Sequence, residues 1–313
     1  MTKKTKLSKK QLLEILSNYN IGESFDFKLI KNGFMHSNYF LEANQGKFIL
    51  RIYEARNDRQ AILEVKVLEK LSFTNIPTPR ILLTKEGKYF SEYKNKRIAI
   101  FHFLKGKHLE KKRITPKKIK NLGIVLGQMH SSLKNFKPTE VNSKKDYTTS
   151  YAKNILKKIK KEKKKNPIFQ DEYILNSLKK IKLPKLPMGI NHGDMFDDNV
   201  LFVGSNVSGV LDFDDCYYGN LLGDVSRGII YWCIDDVLDF KKCRNFVQSY
   251  ISQRNLNLKE VEYLYEQTLL IAWVHALHLL EDDVEWTIKL RPIRAIIDLS
   301  KITKGEFNLK IFS

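Results

Sequence analysis

The chain has 313 residues, 42% of them hydrophobic, enough to bury one large or two medium cores, which excludes a disordered or low-complexity protein. Its formal net charge is +20, but the Lys clusters at 3–10, 111–120 and 157–165 lack the interleaved aromatics of a single-strand-binding surface, so a solvated basic exterior is expected and no specific nucleic-acid partner. Three cysteines (Cys216, Cys233, Cys243) form neither a disulfide framework nor a metal-ligand spacing, and the apolar run 269–280, interrupted by His275 and His278, is too short for a membrane span; a cytoplasmic protein is expected.

Residues 7–19 carry Leu12, Leu13, Ile15 and Leu16 after Ser8, the pattern of an amphipathic helix with an N-cap. Three strands follow at 25–29, 39–43 and 47–53. The first two are separated by the polar segment 31–38, which holds Gly33, His36, Ser37 and Asn38 and reads, on its residues alone, as a plain hairpin connection. Arg51 sits inside the apolar strand, where an unpaired charge would cost several kcal/mol, so an anionic partner is required unless the strand is an edge. A helix over 58–71 places Ile62, Val65, Leu68 and Leu71 on one face, Pro77 and Pro79 end that region, and 88–93 and 97–103 are strand-like.

Thr115 and Pro116 are an N-cap and N1 pair for a helix over 114–133 that closes on His130, and 146–165 is helical with a strongly charged end. After an extended approach over 182–188 comes the densest chemistry in the chain, Asn191-His192-Gly193-Asp194 with Asn199 five residues on. The apolar run 200–203, a turn at 204–208 and Val210-Leu211 predict a hairpin that ends on Asp212, with Asp214 close behind. Such a hairpin would bring two oxygen ligands, Asn199 and Asp212, to one mouth. An acid to orient a hydroxyl, with an amide and a second acid as hard oxygen ligands for magnesium, suits phosphoryl transfer. Asp224 reads as an N-cap for a helix over 225–232, and 241–251, 258–280 and 284–299 are helical by periodicity.

The ordered set His192-Gly193-Asp194, Asn199 and Leu211-Asp212-Phe213-Asp214 resembles the aminoglycoside phosphotransferase and choline kinase-like superfamily, and the stretch 193–202 looks most like the type II homoserine kinases. The resemblance implies an α+β, two-lobe protein-kinase-like fold, with an N-terminal nucleotide-binding lobe of antiparallel sheet plus helix (1–104) and a larger, mainly helical catalytic and substrate-binding lobe (105–313). It implies Asp194 as catalytic base, Asn199 and Asp212 as magnesium ligands, His192 as a shaper of the catalytic loop, and Asp224 as the group that fixes that loop by hydrogen bonding. It also implies that Gly33, Ser37 and Asn38 lie over the phosphates of ATP, that Arg51 pairs with Glu64 and holds those phosphates, and that Phe101 and Phe103 flank the adenine at the inter-lobe hinge.

The expected reaction is ATP- and magnesium-dependent phosphorylation of a small-molecule hydroxyl, with homoserine as the leading acceptor. Choline, ethanolamine and aminoglycosides are the alternatives within the class, and a nucleic-acid-binding or non-catalytic ATP-binding protein lies outside it. Asp214, Trp232, Asp235 and Asp236, with Trp273, His275, His278, Asp282 and Asp283, are the groups available to line the acceptor pocket. Carboxylates would suit an amine-bearing acceptor and aromatics a quaternary one.

Overall fold

A computed structural model describes residues 4–30, 35–54, 58–109, 114–140, 147–162, 169–281 and 290–313. The chain divides into two compact units, Met1–Gly106 with Pro138–Val141 and Ser208–Asp215, and Lys107–Lys137 with Asn142–Val207 and Cys216–Ser313. The segment carrying Asp212 and Asp214 therefore packs with the first unit although it lies far along the chain.

The first unit opens with α1 (Lys9–Leu16), whose Ser8 N-cap and Gln11 complete a capping box. Strands β1 (Ser24–Leu29), β2 (Ser37–Ala43) and β3 (Gly46–Ile52) lead to α2 (Asp58–Ser72), and β4 (Ile81–Leu82), β5 (Ser91–Tyr93) and β6 (Lys96–His102) close the sheet. The strands pair antiparallel in the order β1-β2-β3-β6-β4, with β5 also on β6. Two-residue alternation sends Phe48, Leu50 and Ile52 of β3 to one face, where they share a core with Tyr39 and Leu41 of β2 and Leu12, Ile15 and Leu16 of α1. The same alternation puts Arg51 on the opposite face, toward α2. A short 3-10 turn at Phe213–Asp215 packs against α2.

The second unit is mainly helical. Helix α3 (Pro116–Ser132) begins at the Thr115 N-cap as the sequence predicts; α4 (Thr149–Lys161) and α5 (Asp171–Lys180) precede β7 (Met188–Asn191). Strands β8 (Val200–Val203) and β9 (Asn206–Val210) form the predicted hairpin, its turn shortened to two residues. Strand β10 (Tyr217–Asn220) pairs antiparallel with β7, and helices α6 (Leu222–Trp232), α7 (Phe240–Ile251), α8 (Leu258–Glu281), α9 (Leu290–Leu299) and α10 (Lys304–Phe312) complete the unit. Gly123 and Gly127, one turn apart on α3, lie against the backbone carbonyls of Phe246 and Tyr250 on α7, an approach that a Cβ would obstruct. Among the described residues no helix is long and apolar enough to cross a membrane.

Candidate active site

The first unit gathers one cluster of charge. Residue pairing across β2 and β3 sets Asn38 opposite Arg51. The Arg51 guanidinium donates from Nε to Asn38 Oδ1 at 3.1 Å, from Nη1 to Glu64 Oε1 at 2.7 Å and from Nη2 to Asp212 Oδ1 at 3.0 Å. The anionic partner required by a buried cation is thus supplied twice, and all three groups belong to the set predicted from the sequence. Tyr53 donates its hydroxyl to Glu64 Oε2 at 2.8 Å. Burial is the largest influence on Glu64 and pushes its carboxyl up to about 7, with Asp214 and Asp212 adding to the push and Arg51 and Tyr53 opposing it. Asp212 lies two residues beyond β9 with φ +63°, a left-handed conformation that Asp tolerates better than most residues and that aims its carboxylate independently of the strand's alternation.

Two expectations in this unit are corrected. Ser37 is not a loop residue over phosphates: it begins β2, is fully buried, donates its hydroxyl to Glu54 Oε1 at 2.7 Å and accepts from the Thr5 N–H at 2.9 Å. Asp214 does not line an acceptor pocket, since it is buried at 3.2 Å from His36 Nε2 while its carbonyl accepts from Gln60. Phe101 is buried in β6, with the Arg51 guanidinium 5.9 Å from its ring centre, and the half-exposed Phe103 meets Phe40 edge-on. Gly33 lies outside the described residues, as do Asp282 and Asp283.

The second unit holds the loop from His192 to Asn199. Gly193 adopts φ +85°, which only a residue without Cβ enters at no cost, and this turn hands two consecutive N–H groups to one carboxylate. Asp224 accepts from His192 N at 2.6 Å and Gly193 N at 3.0 Å, and its Oδ2 lies 3.3 Å from His130 Nε2. Although burial opposes ionisation, His130, Arg227 and His192 hold the Asp224 carboxyl down at about 2. Asp224 is not the predicted N-cap. Helix α6 starts two residues earlier, so the acid occupies its first turn, where the helix N-terminus still favours an anion.

Beyond the turn, Asn199 Nδ2 donates to both the carbonyl (2.9 Å) and Oδ2 (2.7 Å) of Asp194, which fixes the acid and leaves the amide oxygen for a cation. That amide oxygen and the Asp212 carboxylate are hard donors of the kind magnesium takes. Among the described residues no group of three or more His, Cys, Asp or Glu is arranged to hold a metal.

Of the predicted acceptor groups, Trp232 is corrected: it is 1% exposed, and its indole N–H props the loop by donating to Met195 O at 2.9 Å. Trp273 is likewise buried, among Phe169 and Tyr173. Asp235 and Asp236 are exposed, and Asp235 pairs with Lys242. His275 accepts or donates at Nδ1 with the Tyr231 hydroxyl at 2.8 Å, and Tyr231 packs on Phe196 with ring centres 4.0 Å apart. His130 is a core group bound to Tyr250. Arg227, Tyr217 and Tyr231 escape the sequence reading; the signal for Arg227 was present, a cation in the apolar run from Leu221 to Trp232.

Comparison with known proteins places this geometry. A family model described as phosphotransferase enzyme family matches residues 26–250. The homoserine kinase of Methylobacillus flagellatus is 27% identical over 259 residues, covering 82% of this chain and 79% of the relative, and that of Rhodopseudomonas palustris strain TIE-1 is 27% identical over 307 residues, covering 92% and 93%. Among solved structures, the amicoumacin kinase hAmiN in complex with AMP-PNP, Ca2+ and Ami superposes with a TM-score of 0.68 at 13% identity, covering 97% of this chain and 94% of that one. A choline kinase from Cryptosporidium parvum gives 0.62 at 15%, covering 92% and 91%. At these identities the structural likenesses speak for the fold.

Proposed function

We propose that this chain, which belongs to the phosphotransferase enzyme family, transfers the γ-phosphoryl group of ATP to the side-chain hydroxyl of homoserine with magnesium as the metal. The observation that carries the chemistry is the Asp194–Asn199 clamp within a loop whose two N–H groups are held by Asp224. The choice of acceptor is supported by relatives named homoserine kinase that match nearly the full length of both chains.

In this reading Asp194 orients the acceptor hydroxyl and takes its proton. Asn199 and Asp212 are the protein ligands of magnesium, which when bound neutralises charge on the phosphates. Arg51, steadied by Glu64 and Asn38, binds phosphate oxygens through its planar fork, so Asn38 acts through Arg51. Phe101 and Phe103 bound the adenine, and the functional lobes divide at 104/105. All three cysteines are buried and outside any disulfide, in keeping with a reducing, cytoplasmic setting.

The test is a coupled ATP turnover assay with magnesium against homoserine, choline, ethanolamine and aminoglycosides, run beside Asp194→Asn. Turnover of homoserine that falls by roughly 100- to 10,000-fold in the variant is the expected result. Turnover of another acceptor with the same loss would replace homoserine and keep the base, whereas a fully active Asp194→Asn enzyme would remove Asp194 from its role.

A further inference from the structure

One turn after Asp224 on α6, Arg227 is completely buried. Its Nη1 donates to the Tyr217 hydroxyl at 3.1 Å and lies 3.5 Å from Asp224 Oδ1, while Nε and Nη2 are enclosed and have no hydrogen-bond partner among the described residues. The rings of Tyr147 and Tyr217 lie against the guanidinium, with centres 4.5 and 5.6 Å from its carbon.

The counter-charge for this cation is already shared, since Asp224 accepts two loop N–H groups and contacts His130. Other neighbours are neutral: burial pushes the Tyr217 and Tyr231 hydroxyls up, and burial, followed by the Arg227 charge itself, pushes the His275 imidazole well down. A buried guanidinium whose Nε and Nη2 edge lacks acceptors is a costly arrangement in an isolated protein, and that edge is the one matched by the two oxygens of a carboxylate.

The position of this edge is as telling as its chemistry. Tyr231 is one turn further along α6 and packs on Phe196, two residues after Asp194; both Arg227 and Asp194 bear electrostatically on its hydroxyl. The unfilled donors therefore belong to the same unit as the acid that orients the acceptor, and to the helix that anchors its loop. We propose that Arg227 binds a carboxylate on the acceptor, so that the enzyme selects hydroxy acids or hydroxy amino acids over alcohols that lack an acid group. This rests on the reading of Asp194 as the base at the acceptor hydroxyl.

The experiment uses the full chain and compares kcat/KM for L-homoserine, L-homoserinamide and 3-amino-1-propanol in wild type, Arg227→Met and Arg227→Lys. Wild type is expected to favour the acid over both acid-free analogues by about 100-fold or more, because a site built to pair a polar group strongly rejects the analogue lacking it. Arg227→Met should bring the three within roughly threefold of one another; the readout is the ratio between acceptors measured in the same variant, so a loss of turnover common to all three leaves it unaffected. Arg227→Lys, which keeps the charge but not the fork, should retain an intermediate preference. A wild-type enzyme that treats homoserine and its amide alike overturns the proposal while leaving homoserine kinase activity in place, as does a folded Arg227→Met enzyme that keeps the full preference. If Arg227→Met does not fold, the wild-type ratio and the Lys variant decide. If none of the three is phosphorylated, the acceptor reading fails separately, and titration of wild type with homoserine and its amide, followed by tryptophan fluorescence, decides for Arg227: acid-selective binding supports it, and equal or absent binding refutes it.

Discussion

Asp224→Asn is the substitution to which the loop from His192 to Asn199 is most directly exposed. The carboxylate accepts the His192 and Gly193 N–H groups at 2.6 and 3.0 Å, meets His130 at 3.3 Å and lies 3.5 Å from Nη1 of the buried Arg227. Asparagine keeps the shape and one acceptor oxygen but turns an NH2 toward a group that also donates. That removes a hydrogen bond to a charged group, worth about 1.5–3 kcal/mol, and leaves Arg227 buried without its acid, for which breaking a buried pair costs about 3–5 kcal/mol. The two losses share atoms and do not add, so a total of about 3–5 kcal/mol is expected, a large part of an ordinary domain's stability.

Urea unfolding at pH 7 measures this loss, and its pH dependence gives an independent check. The Asp224 carboxyl is held at about 2 against an ordinary 3.8, so its contribution is complete above pH 4 and is lost as pH falls toward 2. That depression corresponds to about 2 kcal/mol of acid-sensitive stability in wild type, which the Asn variant should lack. In the folded fraction, displacement of Asp194 by about 1 Å should lower kcat by roughly 100-fold. A loss of stability under about 1 kcal/mol with kcat unchanged would refute the reasoning, because it would mean that the two N–H groups and Arg227 find equivalent partners elsewhere.

The helix packing and the Arg51 cluster give two further expectations. Gly123→Ala and Gly127→Ala should each gain about 1 kcal/mol in helix propensity yet lose more, because the new Cβ overlaps Phe246 O in the first case and lies 2.6 Å from Tyr250 O in the second. A fall in Tm of several degrees is expected, and a rise would show that α3 and α7 separate freely. Glu64→Gln leaves the buried Arg51 with Asp212 as its remaining acid and should raise the KM for ATP by about 10-fold or more with the fold retained by circular dichroism; an unchanged KM would separate Arg51 from nucleotide binding.

What could be read from the sequence follows the range of the signals. Caps at Ser8 and Thr115, the strand around Arg51 and the hairpin after Asn199 are encoded within a few residues, and each forms where predicted. Strands β7 and β10 were missed because each is four residues long and acquires its ladder only from the other, across the whole catalytic segment. Helix α5 was missed because it buries only Ile174 and Leu178; α10 was not, in principle, hidden, since Thr303 and Glu306 spell a capping box.

The misread site residues share a cause. Ser37 is claimed by Thr5 and Glu54 and Trp232 by Met195, partners 17 to 37 residues away that no local pattern announces. Charge behaves differently, because burying it imposes a demand that is visible before the partner is known. That demand led from Arg51 to an acid, met by Glu64 and Asp212. Applied to Arg227, it leads to Asp224 at 3.5 Å and then to two nitrogens whose demand no described residue meets. The same physical rule that joined Arg51 to Glu64 and Asp212 therefore points, at the fully buried Arg227, to the negative charge proposed to arrive with the acceptor.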